Sequence, residues 1–179
     1  MQAYLNSIRS WDIPGDHLEM SKHYPEESVG YTEEQLEEAK TNSKLKKITA
    51  VNEGTPQIAR YSFALTMDST TNLNLFLVPT EGYTGTITYS LDDGVTFKEA
   101  TKLSDTKYEI DINNIAAHEL STMYKVIIRT GDSDTKTLMV SGLSYVWLLM
   151  KGHPDDSVVM NAAAAIYFYS KCADAYKNS

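Results

Sequence analysis

The chain has 179 residues, a formal net charge of −8 and one cysteine, Cys172. That length supports one domain with appendages, or two small domains. The charge disfavours a nucleic-acid surface, and a single cysteine excludes an internal disulfide framework or a cysteine-based zinc cluster. The acidity is uneven: residues 1–43 hold nine acidic and three basic side chains, residues 44–179 fifteen and thirteen. The chain thus divides into an acidic lead segment, 1–44, and a body, 45–179.

The opening MQAYLNSIRSW has no apolar h-region, so any export signal has been removed or was never present. Tyr4, Leu5, Ile8 and Trp11 share one side of a short amphipathic helix, which Pro14-Gly15-Asp16 ends. His17 to Tyr31 reads as a loop. Thr32-Glu33-Glu34-Gln35 matches a capping box, so a helix is predicted from Glu33 to Thr41. It is mostly polar and reads as a solvated link.

From Ile48 onward Thr, Val, Ile, Tyr and Phe dominate and turn residues recur, the texture of β-structure. Strands are predicted at 47–52, 58–67 and 72–78, with Asp68-Ser69-Thr70-Thr71 turning between the last two. Further strands are predicted at 84–91, 95–98 and 107–112. Asp92-Asp93-Gly94 is a hairpin signal because glycine supplies φ > 0. Residues 113–120 form a loop or one helical turn, and 124–130 and 135–140 make a last hairpin. Seven or eight strands without a β-helix-β rhythm point to a mainly β (α+β) fold. Its form would be an antiparallel β-sandwich with an N-terminal helical segment and two C-terminal helices packed on it.

The longest apolar stretch supplies those two helices. Ser144 is the predicted cap of the first, which runs through Met150 and is broken by Gly152-His153-Pro154. Its face is Tyr145, Leu148 and Leu149, with Trp147 off the stripe. The second starts after Asp155, Asp156 or Ser157. Its predicted inner face is Val158, Ala162, Ala165, Ile166, Tyr169, Cys172, Ala173 and Tyr176, which makes Cys172 a buried thiol. Both are too short and too interrupted by charge to span a membrane.

Catalytic and metal motifs fare poorly. His118-Glu119 begins like a zinc-protease helix, but Thr122 stands where the second histidine is needed. His17, Glu19 and His23 match no standard ligand spacing. Asp92-Asp93 and Asp132/Asp134 lack the ligand count of a calcium loop and read as turns. There is no GxSxG elbow and no glycine-rich phosphate loop, so no catalytic residue, metal or cofactor is assigned. Twelve tyrosines are many for this length. Aromatic rings on a sandwich can stack on sugars or anchor a protein, and Tyr61, Tyr83, Tyr89 and Tyr108 are the candidates for a ligand-binding face.

The segments INNIAAHELSTMYKVII, SGLSYVWLLMK and NAAAAIYFYSKCADAYK occur in that order between residues 106 and 177. They resemble a C-terminal module of large secreted or surface-attached proteins of anaerobic Gram-positive bacteria. Ser144, Tyr145, Ala165, Tyr167, Tyr169, Ala173 and Tyr176 hold the matching places, while Lys171-Cys172-Ala173 departs from the usual alanine pair. The resemblance implies an extracellular or cell-surface module with neighbouring modules in a longer chain, and it carries over no catalytic residue. The resulting expectation is a non-catalytic part in adhesion, glycan or protein binding, or structural presentation. The alternative is a carbohydrate-active enzyme, or its accessory domain, using two carboxylates in a sandwich cleft.

Overall fold

The computed structural model describes residues 30–67 and 70–178. The short N-terminal helix, the loop after it as far as residue 29, the His17/Glu19/His23 group and Asp68-Ser69 lie outside the described residues. The elements are α1 (Glu33–Lys44), β1 (Thr49–Glu53), β2 (Ile58–Met67), β3 (Thr71–Pro79), β4 (Thr88–Ser90), β5 (Lys98–Glu99) and β6 (Thr101–Ser104). They continue with β7 (Lys107–Ile112), a 3-10 turn (Ala117–Glu119), β8 (Tyr124–Arg129), β9 (Thr135–Val140), α2 (Gly142–Gly152) and α3 (Ser157–Lys177).

The strands make two antiparallel sheets, ordered β1-β9-β8-β4-β5 and β2-β3-β7-β6. The second sheet and the β9-β8-β4-β5 part of the first have the strand order of an immunoglobulin-type Greek key, with β1 added outside β9. Alternation builds the core. Leu73, Leu75, Leu77, Ile110 and Ile112 of one sheet pack in a single cluster with Val126, Ile128, Leu138 and Val140 of the other. Each such fully buried side chain is worth roughly 1.5–3 kcal/mol of transfer free energy.

Nine strands stand among the described residues, where seven or eight are expected. The added one is β6, whose four residues are all exposed. It leaves no apolar alternation to read and is held by its pairing with β7. The chain changes sheets between β5 and β6 at Ala100, which is buried and donates its N–H to the Ile87 carbonyl at 2.9 Å. The predicted strand 84–91 shrinks to three residues, because Tyr83 and Thr86 are used in a turn instead.

The helices close one end of the sandwich, where the β7–β8 connection lies. Leu120, fully buried, follows the 3-10 turn, and its carbonyl accepts from the Leu143 N–H at 3.0 Å. Gly142 sits close against Leu120 there: a Cβ on it would press on the Leu120 side chain, which would have to shift. Ser141, not Ser144, caps α2. Ser144 is the third helical residue of a capping box, and its hydroxyl also donates to the Lys46 carbonyl. Asp156 caps α3, accepting from the N–H groups of Val158 and Val159 at 3.0 and 3.1 Å. The HELST stretch is a turn whose leucine enters the core.

A second cluster joins Ala39 of α1 to Leu143, Val146 and Met150 of α2 and to Met160, Ala163, Ala164 and Tyr167 of α3. This corrects two expectations. The first helix is not a solvated link: it runs to Lys44, and Leu36, Ala39 and Ser43 form a narrow stripe against the other helices. The inner face of α3 is rotated from the predicted one. Its helix-facing stripe is Met160, Ala163, Ala164 and Tyr167, while Ile166 and Tyr169 pack on the sandwich core. Val158 (72%) and Tyr176 (85%) are exposed, and so is the Cys172 thiol. Periodicity alone does not tell which of two apolar faces a neighbour covers when small alanines allow either. No helix among the described residues is long and apolar enough to cross a membrane.

Candidate functional site

Antiparallel connectivity sends the β1–β2, β3–β4, β6–β7 and β8–β9 connections to the end of the sandwich away from the helices. Loops at one end of a rigid sandwich are where such folds carry binding function. Here three of these connections, β1–β2, β3–β4 and β8–β9, are bonded to one another. The Gln57 N–H donates to Thr130 Oγ1 at 2.9 Å, and Gln57 Oε1 accepts from Thr80 Oγ1 at 2.6 Å. The Thr80 N–H donates to the Gln57 carbonyl at 3.1 Å. The Tyr83 hydroxyl lies 2.8 Å from the Thr130 carbonyl and 2.9 Å from that of Thr86, and either can accept its one proton. Asp134 Oδ1 accepts from the Thr55 N–H at 2.8 Å. Gly54, at φ +67°, lies so close to Asp134 that a Cβ would collide with its carboxylate.

Gln57, Thr80, Thr130 and Asp134 thus form a polar tie across three connections. Only Asp134 and the Gly54-Thr55-Pro56 punctuation stand out in the sequence. The partners of Gln57 lie 23 and 73 positions away, and no local pattern announces them.

The four candidate tyrosines come to this half of the sandwich, but all are packed against its core. Tyr61 and Tyr108 flank Leu77 in one inward-facing row across β2, β3 and β7. Tyr61 meets Phe63 edge-on, with centroids 5.8 Å apart. Tyr89 pairs with Ile128 on the opposing sheet. Tyr83 lies in the β3–β4 loop, where burial first and neighbouring Tyr108 second push its phenol above the ordinary value. The sequence did not single out Lys136. It stands in phase with Leu138 and Val140 and is buried between the sheets. Its Nζ donates to Asn52 Oδ1 at 2.8 Å and lies 5.8 Å from the Tyr61 centroid.

Beside the tied loops runs a groove of about 560 Å³. Val78 and Pro79 lie at its base, Thr80 to Tyr83 on one side, Ser104 to Thr106 on the other, and Arg60 and Lys107 flank it. Its two carboxylates, Glu81 and Asp105, are both exposed, and Asp105 is ion-paired to Lys102 at 2.8 Å. Glu109 and Asp111 approach each other elsewhere, on the outward face of the sheet, where both accept from Asn74 Nδ2. Neither pair is the buried, convergent arrangement that glycoside hydrolysis uses. Of the aspartates in the Asp92-Asp93 and Asp132/Asp134 turns, Asp92 and Asp134 use their carboxylates to hold backbone N–H groups, of Thr96 and Thr55. Asp92 accepts from the hydroxyls of Ser90 and Thr96, which hold its carboxyl well below the usual range. Among the described residues no three His, Cys, Asp or Glu side chains are grouped to hold a metal ion.

Compared with family models, curated proteins and solved structures, the chain matches none.

Proposed function

We propose that this chain is a non-catalytic binding module of a bacterial secreted or cell-surface protein. It presents a glycan or protein ligand site at the loop end of the sandwich, while the helical end faces neighbouring modules. The observation that carries the reading is the tie through Gln57, Thr80, Tyr83 and Thr130, which holds three connections in one arrangement. Loops ordered before binding cost less entropy to engage a ligand. The likeness of residues 106–177 to tail modules of surface-attached proteins supplies the setting.

The test is a binding screen of the intact chain against glycans, matrix proteins and cell-wall fragments, repeated with Gln57→Ala. A ligand held by the native chain and weakened by the variant supports the reading. Silence across the screen reduces the module to a spacer and overturns it.

A further inference from the structure

We propose that the groove between the β3–β4 loop and the β6–β7 turn binds the acidic group of a saccharide, a carboxylate or phosphate, between Arg60 and Lys107. This rests on the binding function above and names its ligand class. The register places the two cations. Arg60 pairs with Val78, and Leu77 pairs with Tyr108, so Arg60, Val78 and Lys107 form one outward row across three strands. At the usual strand spacing the two cationic residues are roughly 10 Å apart, with an apolar valine between them. The Lys107 ammonium lies 4.1 Å from the Phe76 ring centroid, a cation–π contact that fixes its position.

The charge balance points the same way. The whole chain is strongly acidic. Yet neither Arg60 nor Lys107 belongs to an ion pair among the described residues, and nearby Asp105 is already taken by Lys102. An incoming anion therefore meets cations with no resident carboxylate bound to them. A guanidinium fork matches a carboxylate or phosphate. The Ser104 and Thr106 hydroxyls and the Glu81 carboxylate suit sugar hydroxyls, and Val78 suits the apolar face of a ring. The volume lies in the range of small-ligand sites. The tied Thr80 and Tyr83 keep one wall fixed.

The test is calorimetric titration of the intact chain with four probes: tetragalacturonate, a glycerol-phosphate oligomer, neutral cellotetraose and hexaglutamate peptide. The expected result is that tetragalacturonate or the glycerol-phosphate oligomer, and not cellotetraose, binds, with affinity falling as salt rises. Which of the two binds tells carboxylate from phosphate. Arg60→Glu and Lys107→Glu should each weaken binding by about tenfold or more, and Lys98→Glu, outside the groove, should not. All three positions are exposed, and an unchanged Tm confirms each fold; Arg60→Gln and Lys107→Gln serve if a reversal unfolds the chain. Equal binding of cellotetraose, tighter binding of hexaglutamate, or binding indifferent to both reversals overturns the proposal. If the acidic saccharides fail while another surface ligand binds, this site falls and the binding function stands. If both experiments are silent, both fall.

Discussion

The two ends of the sandwich are closed in different ways. At the helical end Leu120, Leu143, Val146, Met150, Ala163 and Ala164 are each at most 5% exposed, and closure comes from apolar burial. At the loop end Gln57, Thr80, Tyr83, Thr130 and Asp134 close the gap with hydrogen bonds, several of them part-exposed. Burial is non-directional and worth kilocalories per side chain, whereas each such bond nets about 0.5–1.5 kcal/mol. The helical end therefore dominates stability. The loop end contributes less to stability but holds its atoms in defined directions, which a recognition surface needs.

Substitutions graded by size can break that contrast. The largest effect is expected from Leu120→Ala, which opens a cavity between the helices and the core. It should cost about 2–5 kcal/mol in urea unfolding. A loss below about 1 kcal/mol would mean that the helices do not seal the sandwich. Gly54→Ala comes next. Its positive φ and the Asp134 contact should cost about 1–3 kcal/mol. Gln57→Ala should cost about 1–2 kcal/mol, lowering Tm by roughly 2–8 °C, because the Thr80 hydroxyl and the Thr55 carbonyl lose the Gln57 amide, while the backbone bonds of residue 57 to Thr130 and Thr80 remain. If Gln57→Ala proved as damaging as Leu120→Ala, the contrast would be wrong.

A pH series sharpens the loop chemistry on the first sheet. The Ser90 hydroxyl first, then the Thr96 hydroxyl and N–H, depress the Asp92 carboxyl in the folded chain. A depressed acid contributes stability that is fully present above its unfolded value of about 3.9 and is lost as pH falls towards the folded value. Tm of the native chain should therefore fall more steeply below about pH 4 than Tm of Asp92→Asn; parallel curves would show that the turn does not need the anion.

The smallest effect is expected from Lys171→Ala at the helical end. Lys171 Nζ and the Tyr167 hydroxyl both bond Glu38 Oε1, at 2.5 and 2.9 Å. These bonds lower the Glu38 carboxyl, Lys171 first, while burial and then the Glu38 bond push the Tyr167 phenol up to about 12. The ion pair is half exposed, so its removal should change stability by less than about 1 kcal/mol. A larger loss would show that polar contacts share the closure there too.

Much of the architecture is legible residue by residue. The alternation of Leu73, Leu75 and Leu77, and of Ile110 and Ile112, fixes both the strands and their inner faces, because period-two patterning admits one buried side. The Thr32/Gln35 box and Asp156 mark helix starts through local bonds. The candidate site is far less legible. The tyrosines are visible as residues, but only packing shows that their rings turn inward; Gln57 and Arg60 carry no signal at all.

By itself, then, the amino-acid order determined most of the strands, though not the exposed β6 or the short extent of β4, together with the two C-terminal helices, since those follow from interactions within a few residues. Only the tertiary structure decided which face of the alanine-rich helix is covered, that the first helix joins that layer, and which loops meet at the far end. Those outcomes depend on side chains tens of positions apart finding one another, and the free energies that choose among the alternatives are set by shape and distance in three dimensions.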